Sequence, residues 1–366
     1  MQKPIIAVTG SAGKTTVKAM LSAILREKWK IYESGDYQNT TVNTPKHKAN
    51  IRRGHKAAVL EYGMGFAGQI TEHCSILQPN MAIITNVGTA HINNFDGKMD
   101  GLIAAKSEVI KGMDPSGMLF INKDDFYSKK LHKKEFKGTI ISVGIDSPAH
   151  YRASKVEFTK EGMQFSLRLN GKKHMFSLPV FGKHNVYNAL LAIAVADQLK
   201  FSPEDMIRGL QSIKRPAHRL EFHELKNNIT VIDDTVHAHG PAMKAALDVL
   251  AEVGKHKKVA VLGSMPAHKD QMIKDHEEIG EYAASKGIDM LFTYGNYSAH
   301  ISQGAINAGM SEDQVKHFSG LQKDMLHEEL LKFSGADMTI LVKGASRLNM
   351  LETVQYLRKE IPKKRK

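Results

Sequence analysis

The residues whose types and spacing point most clearly to chemistry lie near the start of the chain, in the stretch IIAVTGSAGKTT at residues 5–16. Glycines in such a turn let backbone N–H groups face an anion, a lysine reaches terminal phosphates, and a threonine hydroxyl binds Mg²⁺. Apolar residues then recur at helical spacing as far as residue 25. We therefore predict a phosphate-binding loop at a helix N-terminus, made by Gly10, Ser11, Ala12, Gly13, Lys14, Thr15 and Thr16.

This stretch departs from the general Walker pattern at one position. The pattern has a glycine five residues before Gly13, where this chain has Val8. The stretch alone therefore leaves open a second interpretation, a tight turn between a strand and a helix.

Two further apolar runs end in polar residues. Residues 57–60 precede Glu61, and residues 81–85 precede Asn86, with His91 a few positions on. If both runs are parallel strands of a doubly wound sheet, these side chains meet the glycine-rich stretch at the edge where open α/β sheets bind ligands. Each residue alone is an ordinary loop or strand-end residue, but together they favour a nucleotide and metal site.

Composition limits the class of protein. The chain has 366 residues, 42% of them hydrophobic and 24% charged, and a single cysteine, Cys74. These values predict two or three globular domains without a disulfide framework or a multi-cysteine zinc site. No apolar run of about 18 residues and no leader pattern is evident, so we expect a cytoplasmic protein that does not contact membrane.

The formal net charge is +13, and the chain ends in the basic residues 363–366. Nucleic-acid binding is one interpretation of that charge. No basic stripe interleaved with aromatic residues accompanies it, so a solvated basic surface is favoured and nucleic acid is an unlikely partner. An anionic small-molecule substrate fits the charge equally well.

The alternation of elements predicts an α/β fold with two domains. Residues 1–215 are expected to form a P-loop-type parallel sheet domain, in which residues 139–180 form a small antiparallel appendage and residues 35–45 a loop near the site. Residues 216–366 are expected to form a Rossmann-like α/β domain. Residues 100–113 predict a helix in which Lys106 is an ordinary solvated charge.

Seven motifs resemble those of the Mur ligase superfamily, the ATP-dependent amide-forming enzymes of peptidoglycan assembly, and are most similar to its MurF-like members. They are TGSAGKTT (9–16), LEYGMGFAGQI (60–70), ITNVGTAHINNF (84–95), AAKSEVI (104–110), GKHNVYNALLA (182–192), VIDDT (231–235) and LVKGASR (341–347). They occur in the family's order and span nearly the whole chain. The family's phosphate loop has the shorter form found here, without the glycine at Val8.

The resemblance implies ATP and Mg²⁺ as cofactors and a role for each matching residue. The catalytic residues would be Lys14, His91 and Lys106, the last matching a lysine that is N-carboxylated in several members. The metal ligands would be Thr15, Glu61 and His91. The residues that contact the nucleotide, besides the loop, would be Asn185, Asn188, Arg219 and Asp234, although Asn185 also suits a helix cap. The substrate-facing residues would be Lys343, Ser346 and Arg347.

The chain also departs from the family. Its phosphate loop begins at residue 9, which leaves no room for the amino-terminal UDP-sugar-binding domain, so we expect a non-standard substrate and allow for a partner protein that supplies this domain. A Tyr-Asn-Ala-Asn-Pro run is replaced by Val-His-Ala-His-Gly at residues 236–240, and the later acidic segment is changed at residues 264–268. His237, His239 and His268 are either substrate contacts or ordinary loop histidines.

These observations predict an ATP-dependent, ADP-forming ligase that joins a carboxylate to an amine through an acyl phosphate. Its partners would be the small-molecule carboxylate and amine. The alternative is a catalytically degenerate nucleotide-binding or scaffold protein derived from such a ligase.

Overall fold

The structure is a computed structural model that describes residues 3–36, 38–159, 161–213, 217–236, 238–265 and 271–361. The chain divides into two compact units. The first comprises Met1–Glu157, Glu161–Pro179 and Lys183–Lys214, and the second comprises Phe158–Lys160, Val180–Gly182 and Arg215–Lys366. Among the described residues, no helix has the length and apolar character needed to cross a membrane.

The first unit alternates strands and helices along most of its length. Its elements are β1 (Ile5–Thr9), α1 (Lys14–Arg26), β2 (Ile31–Glu33), α2 (Thr44–Asn50), β3 (Ala57–Glu61), α3 (Gln69–Ile76), β4 (Met81–Ile84), α4 (Met99–Gly112), β5 (Met118–Asn122), β6 (Thr139–Gly144), β7 (Tyr151–Thr159), β8 (Gly162–Leu169), β9 (Lys172–Leu178), α5 (Lys183–Gln198) and α6 (Pro203–Gln211).

A nine-stranded sheet in the order β2-β3-β1-β4-β5-β6-β7-β8-β9 organises this unit. Strand β1 lies between β3 and β4 and is parallel to both, with Val8 paired to Glu61 and Thr9 paired to Ile84. The carboxyl ends of these three buried strands therefore lie at the same edge of the sheet, as the strand-end argument predicts. The predicted parallel α/β fold is confirmed.

The segment expected to be an antiparallel appendage differs in part from that expectation. Strand β6 continues the parallel sheet beside β5, and β7 pairs with β6 in parallel through Val143 and Tyr151. Strands β8 and β9 are antiparallel and are joined at Gly171, whose φ is 77°. Alternating apolar and polar residues predict strands with one buried face, but not the direction in which each strand pairs.

The second unit is a smaller α/β unit. Its elements are β10 (Glu221–Glu224), β11 (Ile229–Asp234), α7 (Gly240–Val253), β12 (Lys257–Gly263), α8 (Met272–Ser285), β13 (Met290–Tyr294), α9 (Ala299–Asn307), β14 (Val315–Phe318), α10 (Lys323–Phe333), β15 (Met338–Lys343) and α11 (Leu351–Glu360). The sheet order is β10-β11-β15-β12-β13-β14. Only β10 runs antiparallel among the pairings described.

Both faces of this second sheet are buried. Leu341 packs in one apolar cluster, while its neighbours Ile340 and Val342 pack in another. Successive residues of a strand point to opposite faces, so β15 is apolar throughout because helices cover both sides of it.

Helices α8 and α9 approach each other at the level of the backbone. A Cβ atom added to Gly280 would lie 1.9 Å from the carbonyl oxygen of Ile301, and one added to Gly304 would lie 2.1 Å from the carbonyl oxygen of Glu277. Both positions therefore require glycine for packing between the helices.

Replacing Gly280 by alanine is expected to destabilise the second unit by about 1–3 kcal/mol, because the helices must separate to admit the methyl group. Urea unfolding followed by circular dichroism measures the loss. Gly240→Ala is the matched control, since a Cβ at this helical position meets nothing within 4 Å. Equal stability of the two variants would contradict the packing argument.

Candidate active site

The glycine-rich loop leaves strand β1 and enters helix α1 with the backbone that an anion site requires. Gly10 has a φ of 141° and Gly13 a φ of 81°, values that favour glycine. Gly13 is the N-cap residue of α1, so the N-cap position offers no side chain to accept hydrogen bonds from the N–H groups of the first turn. The first turn also has no acidic residue. Its N–H groups, together with the helix dipole, favour a bound anion at this point.

Contacts with the segment after β4 hold the loop in shape. Asn86 accepts two hydrogen bonds from the loop. Its carbonyl oxygen accepts one from Ser11 N at 3.1 Å, and its Oδ1 accepts the other from Ala12 N at 3.0 Å. Thr85 Oγ1 donates to the carbonyl oxygen of Ala12 at 2.5 Å, and Ser11 Oγ donates to that of Gly88 at 3.0 Å. The loop is therefore ordered by its own protein contacts before any ligand binds.

The two glycines also leave no room for larger residues. A Cβ on Gly10 would lie 1.9 Å from Thr85 Oγ1, and a Cβ on Gly13 would lie 2.6 Å from Asn188 Oδ1. Val8, which occupies the position of the general Walker glycine, is a fully buried residue of β1. The turn is therefore complete without a glycine at this position.

A hydroxyl and a carboxylate form a pair of oxygen ligands beside the loop. Thr15 Oγ1 donates to Glu61 Oε2 at 2.9 Å, and Asn39 Nδ2 donates to Glu61 Oε1 at 2.8 Å. Glu61 is only 3% exposed. Oxygen ligands of this kind suit Mg²⁺, which is bound in nucleotide sites by one or two protein groups together with phosphates and water.

Two lysines lie side by side at the base of the loop. The Nζ atoms of Lys14 and Lys106 each donate to the carbonyl oxygen of Gly10 at 3.1 Å. Lys106 is 1% exposed, so the expectation of a solvated charge at this position is wrong. Burial and the neighbouring Lys14 lower the pKa of Lys106 to about 7. Burial also lowers the pKa of Lys14, against the attraction of Glu61.

His91 lies on the same side of the sheet, at the start of a short 3-10 helix, with a φ of 67°. Burial and the charges of Lys106 and Lys14 lower its pKa. Its imidazole is therefore held in the neutral form near pH 7, the form that can ligate a metal ion. His91 follows β4 and Glu61 ends β3, the two strands that flank β1 in the sheet.

Asn185 and Asn188 lie in the first turns of α5 and form a pair. Asn188 Nδ2 donates to Asn185 Oδ1 at 3.0 Å, and Asn188 is 5% exposed. The closeness of Asn188 Oδ1 to Gly13 places this pair beside the phosphate loop. Amide groups here can both donate to and accept from a polar ligand.

In the second unit, three charged residues lie together. Asp234 pairs with Lys343 across the parallel strands β11 and β15, and Lys343 Nζ donates to Asp234 Oδ2 at 2.7 Å. Burial raises the pKa of Asp234 and lowers that of Lys343, while their mutual attraction opposes both shifts. Arg219 is close enough to act on both charges.

The other residues predicted to face the substrate are Arg347, Ser346 and the loop histidines, and they do not form a cluster like that of Asp234 and Lys343 among the described residues. Arg347 Nη2 donates to the carbonyl oxygen of Met265 at 3.3 Å. His239 is an exposed residue at the N-cap of α7, and its side chain does not cap that helix. His237, His268 and the side chain of Ser346 lie outside the described part of the chain.

The residues of the first unit fit ATP and Mg²⁺ on three grounds. The first turn of α1 presents backbone donors without a side-chain cap. The charge of the half-buried Lys14 lowers the pKa of the buried Lys106, and a bound anion would offset this repulsion. Thr15 and Glu61 place two hard oxygen atoms 2.9 Å apart at the same loop.

This fold and this donor set define a P-loop nucleotide-binding protein with a buried carboxylate beside its loop. A family model described as "Mur ligase middle domain" matches residues 8–196, and one described as "Mur ligase, glutamate ligase domain" matches residues 218–346. The chain belongs to the Mur ligase family. As a member it is an ATP- and Mg²⁺-dependent ligase that forms carbon–nitrogen bonds.

Curated relatives match along nearly the whole chain. The UDP-N-acetylmuramoyl-tripeptide–D-alanyl-D-alanine ligase of Bacillus subtilis (strain 168) is 32% identical over 354 residues, which are 96% of this chain and 75% of that relative. The enzyme of the same description from Escherichia coli (strain K12) is 29% identical over 358 residues, 96% of this chain and 76% of that relative.

Solved structures share the fold. MurF from Acinetobacter baumannii matches with a TM-score of 0.85 and 29% identity, covering 97% of this chain and 76% of that one. MurF from Thermotoga maritima, solved in complex with ADP, matches with a TM-score of 0.81 and 22% identity, covering 98% and 80%.

Sequence reasoning did not single out Asn39, although it placed residues 35–45 near the site. The contact of Asn39 with Glu61 depends on a loop that returns across the end of β3. An asparagine in an aperiodic polar segment carries no signal that distinguishes it from its neighbours.

Replacing Lys106 by methionine is expected to stabilise the ligand-free protein near neutral pH, by on the order of 1–3 kcal/mol. Its pKa is about 7 in the folded protein, compared with 10.5 for a free lysine side chain. The folded state therefore binds fewer protons between these values. The cost of burying this lysine grows as pH falls from about 10 and is complete below about 7.

Denaturant unfolding of both proteins at about pH 6.5 and about pH 10 measures this difference, which should be larger at the lower pH. Lys111→Met is the control, since Lys111 is exposed on the same helix. The burial argument fails if both substitutions change stability equally at both pH values.

Proposed function

We propose that the chain joins a carboxylate to an amine with conversion of ATP to ADP and phosphate, by way of an acyl phosphate. The observation that carries this proposal is the convergence of Lys14 and Lys106 on the carbonyl oxygen of Gly10, next to the Thr15–Glu61 pair. A lysine cation, a second buried amine and an oxygen pair that can hold a metal ion suit the transfer of a phosphoryl group to an anionic acceptor.

In this proposal the loop backbone and Lys14 hold the phosphates of ATP. Thr15, Glu61 and His91 would hold Mg²⁺, which when bound draws charge from the phosphate oxygens and orients them. Lys14 offsets the repulsion between the carboxylate and the transferred phosphoryl group. The carboxylate oxygen bonds to phosphorus as ADP leaves, and the amine then displaces phosphate from the acyl carbon.

We also propose that Lys106 reacts with carbon dioxide. Its lowered pKa leaves a large fraction of neutral amine near pH 7, and only the neutral amine is nucleophilic. Its nitrogen would bond to the carbon of CO₂ and release a proton to solvent. The resulting carbamate would convert the repulsion between Lys106 and Lys14 into attraction.

The remaining residues are assigned roles within each unit. In the first unit, Asn185 and Asn188 would contact the adenine. In the second unit, Arg219 and Asp234 would contact the nucleotide. The substrate contacts would be Lys343, Ser346, Arg347, His237 and His239.

The substrate is the least defined part of the proposal. The curated relatives are described as ligases of UDP-N-acetylmuramoyl-tripeptide and D-alanyl-D-alanine. We propose that this chain takes a different acid or amine, because residues 236–240 and 264–268 depart from the motifs of MurF-like sequences. That a partner protein supplies a substrate-binding domain stays a prediction. That the enzyme acts in the cytoplasm also stays a prediction.

Phosphate release from ATP tests the activity. It should be fast only when a carboxylate and an amine are both present, because the acyl phosphate must form and then be consumed. The assay should compare UDP-N-acetylmuramoyl-tripeptide with D-alanyl-D-alanine against free amino acids and short peptides, with mass detection of the amide. Preference for the first pair would overturn the non-standard substrate while leaving the ligase intact.

Lys14→Ala is expected to lower the rate by about 10²–10³-fold, because it removes a cation from the developing phosphoryl charge. Lys111→Ala, an exposed change on α4, should leave the rate unaltered. Phosphate release that needs neither substrate, or that survives in Lys14→Ala, would favour the degenerate nucleotide-binding alternative.

A further inference from the structure

A cluster of histidines and carboxylates lies in the second unit, outside the residues assigned to the reaction. His218, Glu221 and Asp233 offer ligand atoms that all lie within 4.8 Å of one another. His223 Nε2 lies 3.9 Å from both Glu221 Oε1 and Asp233 Oδ2. Four potential ligands from three positions of the fold therefore surround one small volume.

The pairing of two strands explains why these side chains meet. Strand β10 is antiparallel to β11, and Glu221 pairs directly with Asp233. His223 is two residues beyond Glu221, so both side chains point to the same face of the sheet. Phe222 points to the opposite face, where it stacks on Phe181 with ring centroids 4.6 Å apart.

His223 supplies an independent sign that a ligand belongs here. Its side chain is only 10% exposed, and its Nε2 atom is buried without a hydrogen-bond partner among the described residues. A buried imidazole nitrogen without a partner is costly, so such groups are normally satisfied by protein, water or an ion. This nitrogen faces the two carboxylates.

The carboxylate at the centre of the cluster is held in a fixed orientation. Asp233 is fully buried. Its Oδ1 accepts from Thr235 Oγ1 at 2.8 Å, which leaves Oδ2 directed at His218 Nδ1, 2.7 Å away. Metal ligands are commonly oriented in this way by an outer hydrogen bond.

We propose that the second unit binds one divalent transition-metal ion of the Zn²⁺ type through His218, Glu221, His223 and Asp233. Two imidazoles with two carboxylates favour Zn²⁺, Co²⁺ or Ni²⁺ over Mg²⁺ and Ca²⁺, which prefer oxygen ligands alone. A tetrahedral site with bonds of about 2.0–2.2 Å sets its ligand atoms about 3.4 Å apart. The distances of 2.7 and 3.9 Å bracket this value, so small side-chain shifts complete the site.

The position of the site suggests what the ion does. His218 adjoins Arg219, and Asp233 adjoins Asp234, so the ion would fasten the segment of Arg219 to the end of β11. This segment has a strained backbone, with positive φ values of 57° at His218 and 50° at Leu220. The proposal is independent of the ligase chemistry and rests on the second unit alone.

Calorimetric titration of the metal-stripped full chain with Zn²⁺ tests the proposal, and Co²⁺ provides an absorption spectrum that reports four-coordinate geometry. We expect one ion per chain, a dissociation constant of about 10 µM or tighter, and an increase in melting temperature of roughly 5 °C in saturating zinc. Weaker binding, or a six-coordinate cobalt spectrum, would overturn it.

Two variants assign the binding to these residues. His223→Gln should weaken zinc binding at least about tenfold. Glu221→Gln should do the same, and it tests the site independently of folding because this side chain is 42% exposed. His256→Gln is the control, since His256 lies 3.9 Å from Asp337 in an exposed histidine–carboxylate pair. Unchanged affinity in Glu221→Gln, or an equal loss in the control, would contradict the assignment.

Discussion

The carbonyl oxygen of Gly10 accepts hydrogen bonds from the side-chain nitrogens of the half-buried Lys14 and the buried Lys106, and the candidate active site depends on this arrangement. Lys14 comes from the start of α1 and Lys106 from the middle of α4, so a single peptide group joins the phosphate loop to a distant helix. The loop must present this carbonyl to both lysines. It does so because Gly10 and Gly13 adopt backbone conformations that favour glycine. Thr85 and Asn188 also lie so close to these glycines that a side chain at either position would not fit.

The order of the strands makes that convergence possible. With β1 between β3 and β4, the loop, Glu61 and the segment of Asn86 all begin at the same edge of the sheet. Each contributes a different kind of group: backbone donors, a carboxylate and an ordering amide. Charge balance then favours an anionic ligand, because Lys14, the partly protonated Lys106 and a helix N-terminus outweigh Glu61.

Several parts of this site could be predicted from sequence. The glycine and lysine spacing predicts the loop, and the end of an apolar run predicts the place of Glu61. The burial of Lys106 could not be predicted, because a lysine in a helical pattern is normally exposed and its burial here depends on packing between distant elements. Strand β10 was not predicted either, since four residues give too short a pattern. The cluster of His218, His223 and Asp233 follows from the register of that strand, although the spacing HRLEFH was a visible signal.

The most direct test of the ligase account follows the oxygen atoms of the substrate carboxylate. A carboxylate that stimulates phosphate release is labelled with ¹⁸O at both oxygens and incubated with ATP, Mg²⁺ and the amine. If an acyl phosphate forms, one labelled oxygen passes to inorganic phosphate in each turnover and the other stays in the amide. Amide formation with unlabelled phosphate would contradict the account.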